Sequence, residues 1–132
     1  MSKLLRSIKC IVYGTYKSLM CYEHARNHAA FWDGHQLSLT PAYDICPQGR
    51  SGGEATQAML IHGDNRFSQL AVCMKAASTF LLTPQNATDI FDHQIDVIEK
   101  NWQRVCDEAN VSQVDKNLWW RRQFLNPYSL AR

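Results

Sequence analysis

Apolar and polar positions follow helical spacing along most of this chain and strand spacing in one short stretch. Leu4, Leu5, Ile8, Ile11, Val12, Tyr16 and Leu19 recur at intervals that gather side chains on one face of a helix over 4–20. Gly14 and the β-branched pair Ile11-Val12 weaken that helix. Between Ala30 and Leu39 the pattern changes. Apolar residues flank Asp33-Gly34 on both sides, the strongest short-range signal for a hairpin with a two-residue turn, so residues 29–40 are expected to form a hairpin. Pro47 to Glu54 reads Pro-Gln-Gly-Arg-Ser-Gly-Gly-Glu, the composition of a loop. It lacks the Gly-x-x-x-x-Gly-Lys-Ser/Thr order of a phosphate-binding loop.

The second half is predicted to be helical. Gly63-Asp64-Asn65 is expected to cap a helix over about 66–82 whose inner face carries Leu70, Cys73, Met74, Ala77 and Leu81. Thr83-Pro84 is a cap followed by a first-turn proline. In the helix it opens, Phe91, Ile95, Ile98, Trp102, Val105 and Ala109 follow at alternating four- and three-residue steps, a core stripe or helix–helix seam. Ser112-x-x-Asp115 starts a further helix, with Leu118, Trp119, Phe124 and Leu125 facing inward and Asn126-Pro127 as its end. The fold class this predicts is mainly α with one small β-hairpin.

Composition narrows the function classes. The chain has 132 residues, 45% of them apolar and 20% charged, which suits one globular domain. A net charge of +2 gives no electrostatic case for direct nucleic-acid binding or for an anionic membrane surface. No stretch approaches the ~18 apolar residues of a membrane span, and the basic start lacks the pattern of a signal peptide. Cys10, Cys21, Cys46, Cys73 and Cys106 are scattered without a Cys-x-x-Cys, which reads as reduced thiols in a cytoplasmic protein.

The candidate chemistry sits at the base of the hairpin. Folding residues 29–40 back on themselves makes the flanking residues neighbours, so Asn27 should come close to Asp44. An amide oxygen beside a carboxylate, joined by a small hairpin, is how kinase-type phosphotransferases hold the Mg²⁺ that bridges nucleotide phosphates. His24 and His28 stand four apart, as a metal pair on a helix face would, but the order is not His-Glu-x-x-His. A loop histidine whose ring orders the backbone is the simpler reading.

His24-Ala25-Arg26-Asn27-His28, taken with Leu39-Thr40-Pro41-Ala42-Tyr43-Asp44, resembles the C-terminal lobe of HipA-family toxins. These are serine/threonine kinases of bacterial toxin–antitoxin systems. The likeness continues through Gln57-Ala58-Met59, the Arg66–Leu82 segment and the helix after Pro84, about residues 23 to 125 in all. It implies a kinase-like C-lobe, a catalytic loop around His24, metal ligands at Asn27 and Asp44, and Mg²⁺ and ATP as cofactors. Tyr22 stands where the family pattern has its proton-accepting aspartate, and a phenol of pKa near ~10 is a poor base at neutral pH. Glu23 is the adjacent carboxylate. Neither a glycine-rich loop nor a Val-Ala-Ile-Lys strand is present.

The expectation is therefore a truncated HipA-like C-lobe over 23–132, preceded by a divergent N-terminal helical segment over 1–22 and lacking an N-lobe. Alone it should be catalytically inactive and act by protein binding. Partners would be a HipB-like antitoxin, an intact kinase or further copies of itself. Adjacent Trp119 and Trp120 cannot both face one core on a helix, which adds to the case for a homo-oligomer. The rival reading is an active Ser/Thr kinase subunit completed by a separately encoded N-lobe, with Glu23 as base. A relic that merely folds is a third.

Overall fold

The computed structural model describes residues 25–41, 43 and 54–132. The helix expected over 4–20 and the loop over 47–53 lie outside the described residues, as does the segment 1–22 as a whole. Among the described residues the fold is mainly helical, with one two-stranded antiparallel hairpin. Strands β1 (Ala30–Trp32) and β2 (Leu37–Leu39) are followed by helices α1 (Leu70–Ala76), α2 (Pro84–Glu108) and α3 (Gln113–Trp119).

Helix α1 is shorter than its apolar pattern predicts. Residues 66–69 are held extended instead: Gln57 donates its amide to the Arg66 carbonyl at 2.7 Å and Ser68 donates to Ala55 at 2.9 Å. Asn65 caps no helix. Its side-chain oxygen accepts from the Phe67 amide at 2.9 Å, within a tight turn that Gly63 enters at a φ of +53°. Gln69 then begins the helix without a side-chain cap. The first-turn amides of Leu70 and Ala71 donate to the carbonyls of Ser129 and Ala131, both at 2.9 Å, so the C-terminal segment satisfies donors that a helix start leaves open.

The end of this first helical unit explains a second departure. A 3₁₀ turn over Ala77–Phe80 extends α1, and Leu81 follows in the left-handed region at a φ of +60°. The Leu81 amide donates to Ser78 at 3.0 Å and the Leu82 amide to Ala77 at 3.1 Å, the paired bonds of a Schellman stop. The left-handed residue turns the chain, so Leu81 points outward at 72% exposure while Leu82 enters the core at 5%. The sequence pattern had put Leu81 inside. Glycine is the usual residue at this position, and its absence hides the stop.

Leu70, Cys73, Ala77, Leu82, Ala87 and Phe91 form the buried core, with Ile61, Met74, Phe80, Ile90, Ile95 and Leu130 packed against it. Thr83 and Pro84 act as expected: the threonine hydroxyl accepts from the Asn86 amide at 3.1 Å, with proline in the first turn. Along α2 the stripe holds through Phe91, Ile95 and Trp102, then departs from the predicted steps. Cys106 is buried, whereas Val105 is half exposed and Ala109 is at the surface. Trp102 is covered by Trp120 and Phe124, at ring-centroid distances of 5.1 and 4.7 Å. The segment after α3 thus selects which side of this turn is buried. Helix α2 ends in another Schellman pair: Asn110, left-handed at a φ of +54°, donates to Asp107 and Val111 donates to Cys106.

Helix α3 starts at Ser112, whose hydroxyl accepts from the Asp115 amide at 3.1 Å, as its capping pattern predicts. It stops at Trp119, well short of Asn126-Pro127, because Trp120 is extended and Arg121 left-handed. Leu118 is exposed, contrary to expectation, while Leu125 is fully buried. The residue of α3 that does enter the interior is Lys116, whose ammonium meets Asp107. That contact, helped by Gln103, holds the Asp107 carboxyl below its ordinary range. Ending the helix between the tryptophans also lets both be half buried within the chain. Arg121 sits 5.3 Å from the Trp120 ring centre and pairs with Glu99 at 2.9 Å.

Candidate functional site

The hairpin forms where the apolar pattern changes, in the register Ala30↔Leu39, Phe31↔Ser38 and Trp32↔Leu37. That register centres the turn between Gly34 and His35, one residue later than Asp33-Gly34 predicts. Gly34 supplies a φ of +95°, which L-residues rarely adopt. Asp33 acts as the turn's acceptor: one carboxylate oxygen takes the amides of His35 at 2.9 Å and Gln36 at 2.8 Å. These amides, Gln36's foremost, hold the Asp33 carboxyl below its ordinary value of 3.8.

Pairing continues past the strands. The Thr40 amide donates to the Ala29 carbonyl at 3.0 Å, and the Tyr43 phenol donates to the Arg26 carbonyl at 2.7 Å. The chain entering the hairpin is thereby tied to the chain leaving it. On the entering side, Ala25–Asn27 forms one 3₁₀ turn, and Asn27 is buried at 5% exposure despite its polar side chain. Buried polar side chains are held by partners, and Asn27 has them.

Of the residues singled out from the sequence, Asn27 and His28 are placed: Asn27 is buried in the loop and His28 half buried beside it. Tyr22, Glu23, His24 and Asp44 lie outside the described residues, and with them the predicted Asn27–Asp44 approach. Among the described residues, no group of three or more His, Cys, Asp or Glu side chains could hold a metal ion. The link from Tyr43 to Arg26 was missed by the sequence reading. The observed register, extended outward from Ala29 and Thr40, pairs those same two positions, whereas the Asp33-Gly34 turn expected from the sequence would have set Tyr43 opposite His24.

A family model described as the HipA-like C-terminal domain matches residues 21–102, which include the loop, the hairpin, α1 and most of α2. The chain belongs to the HipA-like C-terminal domain family. Neither a curated protein nor a solved structure matches it. In this HipA-like domain the matched part does not complete the core by itself. Leu125 and Ser129 are fully buried, and Leu130 packs on the core, all beyond the match. No helix among the described residues is long and apolar enough to cross a membrane.

Proposed function

We propose that this chain is the C-lobe of a HipA-like serine/threonine kinase of a toxin–antitoxin system, and that the 132-residue chain acts by protein binding and does not itself transfer phosphate. The lobe proper begins at 23, after a divergent N-terminal segment over 1–22. The observation that carries the reading is Tyr22, a phenol in the place of the proton-accepting aspartate, in a chain that otherwise keeps the His24, Asn27 and Asp44 positions of the family pattern. Loss of a general base costs about 10²–10⁴-fold in rate, and the glycine-rich loop and strand lysine are also lacking from these residues.

Asn27 and Asp44 would hold Mg²⁺ through oxygen donors, the ligand type this ion prefers. The ion, were it bound there, would supply positive charge against the phosphates of a nucleotide. Two protein ligands leave most of its coordination to water and phosphate, so Mg²⁺ and ATP bind weakly without contacts from the other side of the cleft. Binding to a HipB-like antitoxin, to an intact kinase or to further copies is supported by the hairpin, where Phe31, Trp32 and Leu37 are each more than half exposed. The site of action is the cytoplasm.

The purified chain, incubated with radiolabelled ATP, Mg²⁺ and protein substrates, is expected to transfer no phosphate above background. Transfer that disappears in Asp44→Asn would overturn the reading and make Glu23 the base. Sedimentation across a micromolar dilution series tests the binding half for self-association. A monomer near 15.2 kDa throughout would remove the homo-oligomer from it.

A further inference from the structure

We propose that Tyr43 is a positioning residue for Asn27, acting through the Arg26 carbonyl. The proposal rests on the reading of Asn27 as a cation ligand. The peptide that joins Arg26 to Asn27 carries that carbonyl at one end and the Asn27 amide at the other. A phenol donating to the carbonyl at 2.7 Å therefore fixes the plane of the peptide from which Asn27 departs. Asn27 ends a single 3₁₀ turn, whose few helical bonds do not by themselves fix its backbone. The strands beyond it are three residues each, and an isolated two-stranded hairpin is marginal in water.

The base of the hairpin is thus tied to the loop by a backbone bond and by a side-chain bond. The Thr40–Ala29 bond is backbone to backbone and independent of side-chain identity. The Tyr43–Arg26 bond depends on one hydroxyl. Tyr43 is 41% exposed and has further contacts of its own, so only the bond from its hydroxyl to Arg26 is at issue here. Groups that orient a metal ligand from behind typically contribute 10–100-fold in metal affinity. Tyr43→Phe keeps the ring and removes only the donor.

The test measures Mn²⁺ affinity by water-proton relaxation in wild type, Tyr43→Phe and Asn27→Ala, with thermal unfolding of each. The expected result is detectable millimolar Mn²⁺ binding in wild type, its loss in Asn27→Ala, and about tenfold or greater weakening in Tyr43→Phe at a near-native melting temperature. The Asn27 side-chain amide resonances of the metal-free chain should also shift in Tyr43→Phe. Unchanged affinity in Tyr43→Phe, alongside loss in Asn27→Ala, would overturn the role of Tyr43 and leave the cation reading standing. Absence of Mn²⁺ binding in wild type, or full binding in Asn27→Ala, would overturn both. Resonances of Asn27 that stay in place in Tyr43→Phe would overturn the positioning role whatever the metal does.

Discussion

Leu81 and Leu82 are adjacent leucines with opposite fates, and exchanging each for a smaller residue tests the helix stop that separates them. Leu82 is 5% exposed and belongs to the core with Ala77 and Phe91, so Leu82→Ala removes nearly a whole buried side chain and leaves a cavity. Such changes cost about 2–5 kcal/mol. Taking about 3 kcal/mol and a urea slope of about 1.5 kcal/mol/M, the unfolding midpoint should fall by about 2 M. Leu81 is 72% exposed, and Leu81→Ala should stay within about 0.5 kcal/mol of wild type.

Leu81→Gly should go the other way. The left-handed backbone at Leu81 costs a residue with a Cβ about 1–2 kcal/mol, and glycine escapes it. The more flexible unfolded chain returns about 0.4–1 kcal/mol of that, leaving a net gain on the order of 0.5 kcal/mol. Urea unfolding followed by circular dichroism gives all three midpoints, and an unchanged slope would show that only native stability has moved. Equal costs for Leu81→Ala and Leu82→Ala would refute the argument. So would a Leu81→Gly variant less stable than Leu81→Ala, since that requires a right-handed backbone at Leu81.

The Asp33 carboxyl is depressed in the folded state, so its contribution to stability is present above its unfolded pKa and is lost as pH falls through the folded value. The stability difference between wild type and Asp33→Asn should therefore be constant from neutral pH down to about pH 5 and change only below about pH 4; a difference flat down to pH 2.5 would contradict the turn geometry. On α2, both amide atoms of Gln94 are buried with no hydrogen-bond partner among the described residues. An unpaired buried amide costs about 1–3 kcal/mol, so Gln94→Met should raise the urea midpoint, and a clear drop would mean that the amide is satisfied.

Much of the fold was legible in local signals. The hairpin came from an Asp-Gly between apolar runs, α2 from Thr83-Pro84 and its periodicity, and the start of α3 from Ser112-x-x-Asp115. Each is a feature whose physics is contained within a few residues: a turn that needs a positive φ, a cap that supplies an acceptor to a free amide, a stripe with the period of a helix. Of the candidate site, the hairpin between the two motifs was legible in the same way. An Asp33-Gly34 turn, however, is centred one residue before the observed one, so the Tyr43–Arg26 pairing was not legible in it, and the expected Asn27–Asp44 approach lies outside the described residues.

The sequence by itself determined the class of fold, the position of the hairpin, the starts of α2 and α3, and the motifs that mark the HipA-like family. Tertiary structure decided where helices stop and which face of each is covered. Residues 66–69 are extended because Ala55 and Gln57 bond to them across a turn, α1 begins where Ser129 and Ala131 meet its first amides, and Cys106 replaces Val105 inside because Trp120 and Phe124 lie over Trp102. Apolar periodicity says only that one face of a helix will be buried. Which residues at its edge go in depends on partners distant in sequence, and their positions are set by left-handed turns at Leu81, Asn110 and Arg121 where no glycine announces them.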